Sequence, residues 1–503
     1  MNMKTKETTI VVAAAALLAG CETSFLPSVG ANYVEPEVAA FAARLPDAGA
    51  PTTNLNALCE YTPADKASDD RLDITSDSAS LWWRRFNDPI LAGIVEAAVS
   101  SNMNYLAASS RLAQANWELL GTYSAFMPKA SVDGSAMRSE AHRNNRSMAS
   151  SGRRHSMGDV FKGGMNATWE LDVFGGSRRA TEAALAVAEA AGWSVADAWV
   201  ALTTSIGSEY VSLRTVQERI AVARTNLVLQ SETYDILKSR LDSGIGDELA
   251  VNQCAYIVEQ TRARIPALLA QEEALKNALA ILAGATPGAL HDRLGPLPES
   301  RDWLLAPQKV SELPLDMLRG RPDVKALERR LAAQVAKVGV AKSMWYPKLY
   351  ITGSLGMEST HISKFLQPGS FYASIGPSVT WPLFQGGNVY ASVRAAEARV
   401  EEARLNYALA LDSAYAEVRD AYSAYTQEYH RYQALKSAVK AASDAVSISQ
   451  DLYKNGLKDF NNVLDAQRSR LTLEEEMVIS RGQITQNLIS LYKALGGGLS
   501  SAE

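Results

Sequence analysis

The residue types that most often carry catalysis or bind metals are few in this chain and lie far apart. The five histidines are His142, His155, His291, His361 and His430. No nucleophile elbow, phosphate-binding loop or zinc-ligand spacing accompanies them. Charged residues make up 21% of the chain and the net charge is −5, so nothing points to nucleic acid. We therefore expect no enzyme activity, no metal site and no cofactor.

The three cysteines differ in their surroundings. Cys21 ends the N-terminal apolar segment, whereas Cys59 and Cys254 lie in very different segments of the chain. A disulfide between Cys59 and Cys254 is one alternative. Two leftover thiols, buried or weakly exposed, are the alternative that we favour.

The N-terminus has the organisation of a secretion signal. Lys4 and Lys6 precede a short apolar run that ends in Leu-Leu-Ala-Gly-Cys21, and this run is too short to span a bilayer by itself. Leu-Ala-Gly-Cys resembles the bacterial lipoprotein processing box, which implies that cleavage leaves Cys21 as a lipid-bearing N-terminus. Glu22 is not the aspartate associated with inner-membrane retention, so we expect delivery to the outer membrane. The alternative is a plain signal peptide with an incidental cysteine.

The rest of the chain is organised around the stretch from Phe371 to Ala466. Its apolar residues first alternate with a period of two, which predicts a strand with one apolar face as far as Leu383. After Gly387 they recur at steps of three and four, and no proline occurs before Asn455. This pattern predicts a coiled-coil-like helix of roughly 100 Å.

The same pattern occurs 212 positions earlier in the chain. The matching pairs are Trp169 with Trp381, Gly175 with Gly387, Gly244 with Gly456, and Asp247 with Asp459. Gly176 and Gly386 belong to the same two strand-to-helix junctions. One offset that preserves the apolar stripe, the turn glycines and the tryptophans predicts an internal duplication. Two unrelated long helices would not share these residues.

The predicted fold is mainly α, with duplicated long antiparallel helices and four strands that could cross a membrane. Strands are expected at about 130–138, 161–171, 349–357 and 371–383, and helices at about 89–125, 176–241, 248–283, 321–345, 388–455 and 460–495. The proposed regions are a signal peptide (1–20), an N-terminal arm (21–80), two repeats (81–284 and 321–495) joined by a connector (285–320), and a tail (496–503).

Four strands are too few to close a membrane barrel, since the smallest known barrels have eight. Lipid does not tolerate an open sheet edge. If these strands cross a membrane, several chains must therefore share one barrel. The alternative is a small soluble sheet that caps a coiled coil.

Six stretches, taken in order, resemble the TolC-type outer-membrane efflux family, and specifically its NodT/OprM-like lipoprotein branch. They are residues 83–91, 169–176 with Arg179, 321–324, 376–377 with 381–387, 453–467, and 491–498. The resemblance implies a homotrimer whose chains build a shared 12-stranded β-barrel in the outer membrane and a trimeric α-barrel across the periplasm. It also implies a periplasmic adaptor protein and an inner-membrane pump, commonly of the resistance-nodulation-division (RND) type.

The resemblance also implies a gate where the helical hairpins turn, at Gly244 and Gly456. By motif position, Asp465 matches a pore-lining aspartate, Asn462 replaces a second one, Lys458 stands where an arginine is common, and Tyr453 matches a gate tyrosine. The first-half counterparts of Asn462 and Asp465 are uncharged, so a selectivity ring would come mainly from the second half. The alternative for Asp465 is a solvated charge at a helix end.

The favoured function is an exit duct for small toxic compounds or drugs. One alternative is the outer-membrane duct of a type I protein secretion system, and another is a periplasmic lipoprotein scaffold without a pore. Metal-ion export has no supporting methionine or histidine cluster.

Overall fold

The computed structural model describes residues 30–34, 52–53, 71–72, 81–141, 156–295, 309–310, 313–314, 318–455 and 457–498. The helices are α1 (Pro89–Ser101), α2 (Met103–Tyr123), α3 (Gly176–Asp242), α4 (Glu248–Leu282), α5 (Pro322–Ser343), α6 (Asn388–Lys454) and α7 (Phe460–Ala494). The long strands are β1 (Lys129–Ala141), β2 (Ser156–Leu171), β3 (Lys348–Ser359) and β4 (Phe371–Thr380). These bounds confirm a mainly α fold with a four-stranded sheet.

The helix lengths repeat between the two halves of the chain. Helices α3 and α6 each contain 67 residues, and helices α4 and α7 each contain 35. Asn388 follows Gly176 by the 212 positions that separate Phe460 from Glu248. The apolar residues that recur at steps of three and four along α6 face the interior, since Tyr407, Leu411 and Val418 are all buried.

The described residues divide into two compact units. The first contains residues 30–34 and the described parts of 113–190 and 328–405, and it holds the sheet. Its four strands are antiparallel and follow the chain in the order β1-β2-β3-β4. Val132 pairs with Met165, and Met165 pairs in turn with Leu355.

The second unit holds the main hydrophobic core. Trp82 lies in a 3₁₀ turn before α1, is fully buried and stacks on Tyr492 of α7, with ring centroids 6.0 Å apart. At the start of α5 the buried Arg321 donates to the Ala494 carbonyl and to the carboxylate of Glu417, each at 2.8 Å. These contacts join the start of the second repeat to its last helix.

The predicted helix over 89–125 is wrong in its continuity, because Asn102 separates α1 from α2. The Asn102 side chain accepts hydrogen bonds from the amides of Asn104 and Tyr105, and thereby caps α2. Its amide nitrogen donates to the Leu282 carbonyl at 2.9 Å. The break is thus stabilised by a contact with the end of α4.

Three strand boundaries also differ from the prediction. Strand β1 extends to Ala141 rather than 138, and strand β2 begins at Ser156 rather than 161. Arg138 and Asp159 pair across this hairpin at 2.7 Å. Strand β4 ends at Thr380 rather than Leu383, and Pro382, which has no backbone N–H, follows two residues later.

The N-terminal arm makes backbone contacts with the connector. Residues Thr52–Thr53 pair antiparallel with Leu313–Pro314, and Arg71–Leu72 pair parallel with Lys309–Val310. Residues 52–53 and 71–72 of the arm are therefore joined to the connector by short strand pairs, which the composition of the arm did not predict.

Candidate functional site

One face of the sheet is apolar across all four strands, apart from the Arg138–Asp159 ion pair at the hairpin end of β1 and β2. Because side chains alternate along each strand, the pairing register places one set of residues on this face. The larger apolar ones are Val132, Phe161, Met165, Trp169, Leu171, Leu349, Ile351, Leu355, Met357, Phe371, Ile375 and Val379. Val132 and Ile375, on the two outer strands, are each 83% exposed. Such a face fits a lipid environment better than water.

The opposite face of the sheet is polar. Lys162 on β2 pairs with Glu358 on β3 at 3.0 Å, and Glu170 pairs with Lys348 at 3.1 Å. Positive and negative charges alternate across neighbouring strands, so this face carries compensated charge. Alternation of an apolar with a polar face is the pattern of a membrane barrel wall.

Among the described residues, the outer edges of the sheet have no strand partner. Strand β1 pairs with β2 alone, and β4 pairs with β3 alone. The free backbone groups along these edges need partners if the sheet lies in lipid.

The two strand-to-helix junctions contain the predicted glycines. Gly175 and Gly387 occupy equivalent positions before α3 and α6 and have φ angles of 78° and 85°. Gly386 also has a positive φ angle, of 56°, whereas Gly176 is the first residue of α3. Glycine is favoured at positive φ because it has no Cβ.

The junction tryptophans make equivalent contacts. Trp169 donates from its indole nitrogen to the Phe126 carbonyl at 2.9 Å, and Trp381 donates to the Trp345 carbonyl at 3.1 Å. Each tryptophan therefore ties the end of one strand to the turn that precedes the other strand of its own half.

The second unit contains the turns between the helices of each hairpin. At the first turn, Gly244 has a φ angle of 76° and the amide of Ile245 donates to the Arg240 carbonyl at 3.1 Å. At the second turn, the amide of Leu457 donates to the Leu452 carbonyl at 2.9 Å. The two bonds join equivalent positions and are typical of a Schellman helix end. Gly456 itself lies outside the described residues.

Tyr453 lies in an aromatic and cationic contact near the second turn. Its ring meets that of Phe460 at a centroid distance of 5.2 Å, and the guanidinium of Arg240 lies 5.4 Å from its centroid. Lys458 is exposed and has no ion pair or hydrogen bond within the described parts of the chain. The cation that meets Tyr453 is therefore Arg240.

Sequence reasoning missed Arg240, although the repeat contained a signal for it. Tyr453 corresponds to Leu241 in the first half, so Arg240 lies next to the equivalent position on α3. A basic residue next to the counterpart of Tyr453, in the other hairpin, was therefore a candidate partner for the Tyr453 ring.

Asp465 and Asn462 lie on the exposed side of the first turns of α7. The other side of these turns is buried, and Val463 and Leu464 pack there in a hydrophobic cluster with residues of α4. In the first half Ala250, the counterpart of Asn462, is 4% exposed. The two hairpins therefore differ at this position, where the first has a buried alanine and the second an exposed asparagine.

A polar network links α3 and α7 away from the turns. Asn226 donates to the carboxylate of Glu474 at 2.9 Å, and Arg470 donates to the same carboxylate at 3.0 Å. Arg264 on α4 meets Glu475 at 3.3 Å. These bonds join the two hairpins farther along α7 than the exposed Asp465.

The described part of the arm near the N-terminus docks on the first unit. Arg179 is 4% exposed and donates to the Gly30 carbonyl at 3.2 Å and to the Asn32 side chain at 2.8 Å. The Tyr33 ring packs on Ala332 and its neighbours. Arg179 therefore holds the chain that leads from Cys21, while Cys21 itself lies outside the described residues.

Long helical hairpins joined to a sheet with one apolar face define a subunit of a membrane channel. The profile of the family described as "Outer membrane efflux protein" matches residues 94–285 and 313–497. The chain belongs to this family and is the outer-membrane exit duct of an efflux system.

Three comparisons illustrate the relationship. The outer membrane protein OprJ of Pseudomonas aeruginosa is 31% identical over 69% of this chain and 72% of its own length. The toluene efflux pump outer membrane protein TtgC of Pseudomonas putida is 26% identical over 98% of this chain and 96% of its own. The structure of the outer-membrane channel OprN is 29% identical, covers 87% of this chain and 99% of its own, and superposes with a TM-score of 0.77.

Proposed function

We propose that three copies of this chain form a duct that carries small toxic compounds or drugs across the outer membrane. An RND-type inner-membrane pump and a periplasmic adaptor deliver these compounds to the entrance. The observation that carries the proposal is the four-stranded sheet, which has one apolar face and two edges that no described strand pairs with. Three such sheets supply twelve strands, which is enough to close a barrel.

The turns of the helical hairpins form the entrance of this duct. Three copies of Asp465, one from each subunit, make a ring of negative charge that attracts cations and repels anions. Arg240 and Phe460 hold Tyr453 next to this ring. The exposed position of Asp465 supports this role, because a pore-lining carboxylate must reach water.

Cys21 carries the lipid that anchors the mature chain to the outer membrane. Metabolic labelling with an alkyne analogue of palmitate tests this anchor. The wild-type chain and a Cys59→Ala variant should incorporate the label, and Cys21→Ala should not. Equal labelling of all three chains would contradict lipidation at Cys21.

Deletion of the gene from its own bacterium tests the transport function. Cells without the duct should retain more ethidium, and a proton uncoupler should remove the difference between deleted and wild-type cells. Unchanged ethidium together with the loss of a protein from the culture medium would favour a protein secretion duct instead. No change in either would favour a scaffold without a pore.

A further inference from the structure

The two strand-to-helix junctions correspond through the 212-residue offset but differ in exposure. The aromatic residue of the second, Phe384, lies two positions before Gly386, which matches Phe174. We call residues 172–175 the first junction loop and residues 381–387 the second junction loop. Gly175 is buried in the first loop, whereas its counterpart Gly387 is exposed in the second. Leu383 and Phe384 in the second loop are 78% and 90% exposed. The second loop therefore lacks a contact that the first loop has.

The missing contact can be identified from the first junction loop. Phe174 stacks on Tyr346 with ring centroids 4.8 Å apart and planes at 19°. Tyr346 belongs to the turn between α5 and β3, residues 344–347, which we call the second corner. The start of α3 also lies close to the residue before this corner, because a Cβ added at Gly176 would lie 2.7 Å from the hydroxyl of Ser343, the last residue of α5.

The strand order explains this contact. The first loop follows β2 and the second corner precedes β3, and these two strands are neighbours in the sheet, with Leu171 opposite Leu349. A loop that follows one strand thus packs on the corner that precedes the next strand.

The second loop follows β4, which has no further strand beside it among the described residues. The equivalent corner lies before β1 and consists of residues 123–128, which we call the first corner. Within one chain β1 and β4 are the two outer strands of the sheet. Three strand spacings separate them, about 14 Å, so the second loop does not reach the first corner of its own chain by this packing.

We propose that the second junction loop packs on the first corner of another copy of this chain, with Phe384 against Met127 of the partner subunit. This proposal rests on the proposed trimer, in which β1 of the partner subunit is the strand that follows β4. The contact between the first junction loop and the second corner is then repeated between chains.

The first corner has the surface that this contact needs. Tyr123 and Met127 are 37% and 42% exposed, and Phe126 lies between them in the same turn. Met127 occupies the position that Tyr346 has in the second corner, and both precede their strand by two residues. A thioether against an aromatic ring is a favourable contact, so the aromatic stack of the first loop becomes a sulfur–aromatic contact between subunits.

Cross-linking of cysteine pairs with a short bismaleimide tests the contact. The background chain carries Cys59→Ser and Cys254→Ser, and the test pair is Phe384→Cys with Met127→Cys. We expect bands at two and three times the mass of one chain on a denaturing gel. Either substitution alone should leave the chain at its monomer mass.

The matched control is the pair Phe174→Cys with Tyr346→Cys, which lies within one chain. It should consume both thiols without any increase in mass. If the control pair reacts and the native particle is a trimer, but the test pair gives no product larger than a monomer, the proposed contact is wrong and the duct stands. A monomeric native particle would overturn the duct and the contact together.

Discussion

Trp169 and Trp381 lie 212 positions apart and make the same hydrogen bond, each from its indole nitrogen to a backbone carbonyl in the turn before a strand. The acceptors are the carbonyls of Phe126 at 2.9 Å and Trp345 at 3.1 Å. Each acceptor lies three residues before the first residue of β1 or β3. The duplication therefore preserves a tertiary contact as well as a pattern of apolar residues.

Substitution of either tryptophan by phenylalanine should weaken the junction, because the acceptor carbonyl loses its donor while the apolar ring remains. We expect Trp169→Phe and Trp381→Phe each to lower the free energy of unfolding by about 0.5–1.5 kcal/mol. Heat dissociation of the detergent-extracted protein measures the effect. Trp117→Phe is the control, since Trp117 is 71% exposed and makes no hydrogen bond through its side chain to any described residue. An equal loss of stability in all three variants would show that these two hydrogen bonds do not stabilise the junctions.

Two glycines of α3 should respond in opposite directions to alanine. A methyl group at Gly207 would overlap the indole ring of the buried Trp82. Gly207→Ala should therefore destabilise the protein by about 1–3 kcal/mol. No described atom lies within 4 Å of a Cβ added at Gly192, so Gly192→Ala should stabilise the helix by about 1 kcal/mol. Thermal unfolding followed by circular dichroism measures both, and stabilisation by Gly207→Ala would refute the packing at Trp82.

Removal of the Arg240 charge should favour the open entrance. The guanidinium lies 5.4 Å from the Tyr453 ring centroid, and a contact of this kind contributes about 0.5–1 kcal/mol. Arg240→Gln should therefore raise the open probability of single channels in planar bilayers about two- to fivefold per subunit. Lys458→Gln removes a nearby charge that does not touch the ring, and it should have little effect. The reverse order of the two effects would show that Lys458 holds the gate.

Neutralisation of Asp465 should reduce the preference of the channel for cations. In the proposed trimer, three Asp465 carboxylates around a narrow axis would raise the local concentration of cations, and Asp465→Asn would remove all three. The reversal potential in a potassium chloride gradient should shift toward zero. Asp444→Asn removes an exposed carboxylate from α6 and serves as the control. If both variants keep the wild-type reversal potential, Asp465 is a solvated charge at a helix end.

Cys254 should be unreactive in the folded protein. It is 1% exposed, its thiol contacts the Gln230 carbonyl, and burial raises its pKa to about 11. Little thiolate is therefore present at neutral pH, and thiolate is the reactive form. In a Cys59→Ser chain, maleimide should label Cys254 only after denaturation. Rapid labelling under native conditions would contradict its burial.

The regular parts of this fold were predictable because they depend on local patterns. The apolar residues from Tyr407 to Tyr425 recur with a helical period, and turn glycines mark the ends of the long helices. The predicted bounds of the long helices were therefore nearly correct. The one-sided apolar pattern of β4 was equally clear from Phe371 to Val379. These features need no knowledge of distant contacts.

The parts that the prediction missed depend on contacts between distant residues. Asn102 interrupts a continuous apolar pattern because it caps α2 and also bonds the Leu282 carbonyl. Arg138 and Asp159 pair across the hairpin at its polar end, where composition alone favours a loop. Arg240 reaches Tyr453 from another hairpin. Local sequence could name candidates for these positions but not their partners.

The mass of the native particle shows whether other copies complete the open sheet of one chain. Native mass spectrometry of the protein extracted in a mild detergent measures it. A shared barrel of three chains gives a single species with three times the mass of the mature chain and its lipid. A monomer that retains its folded sheet would rule out the shared barrel, because no other described strand pairs with the outer edges of β1 and β4.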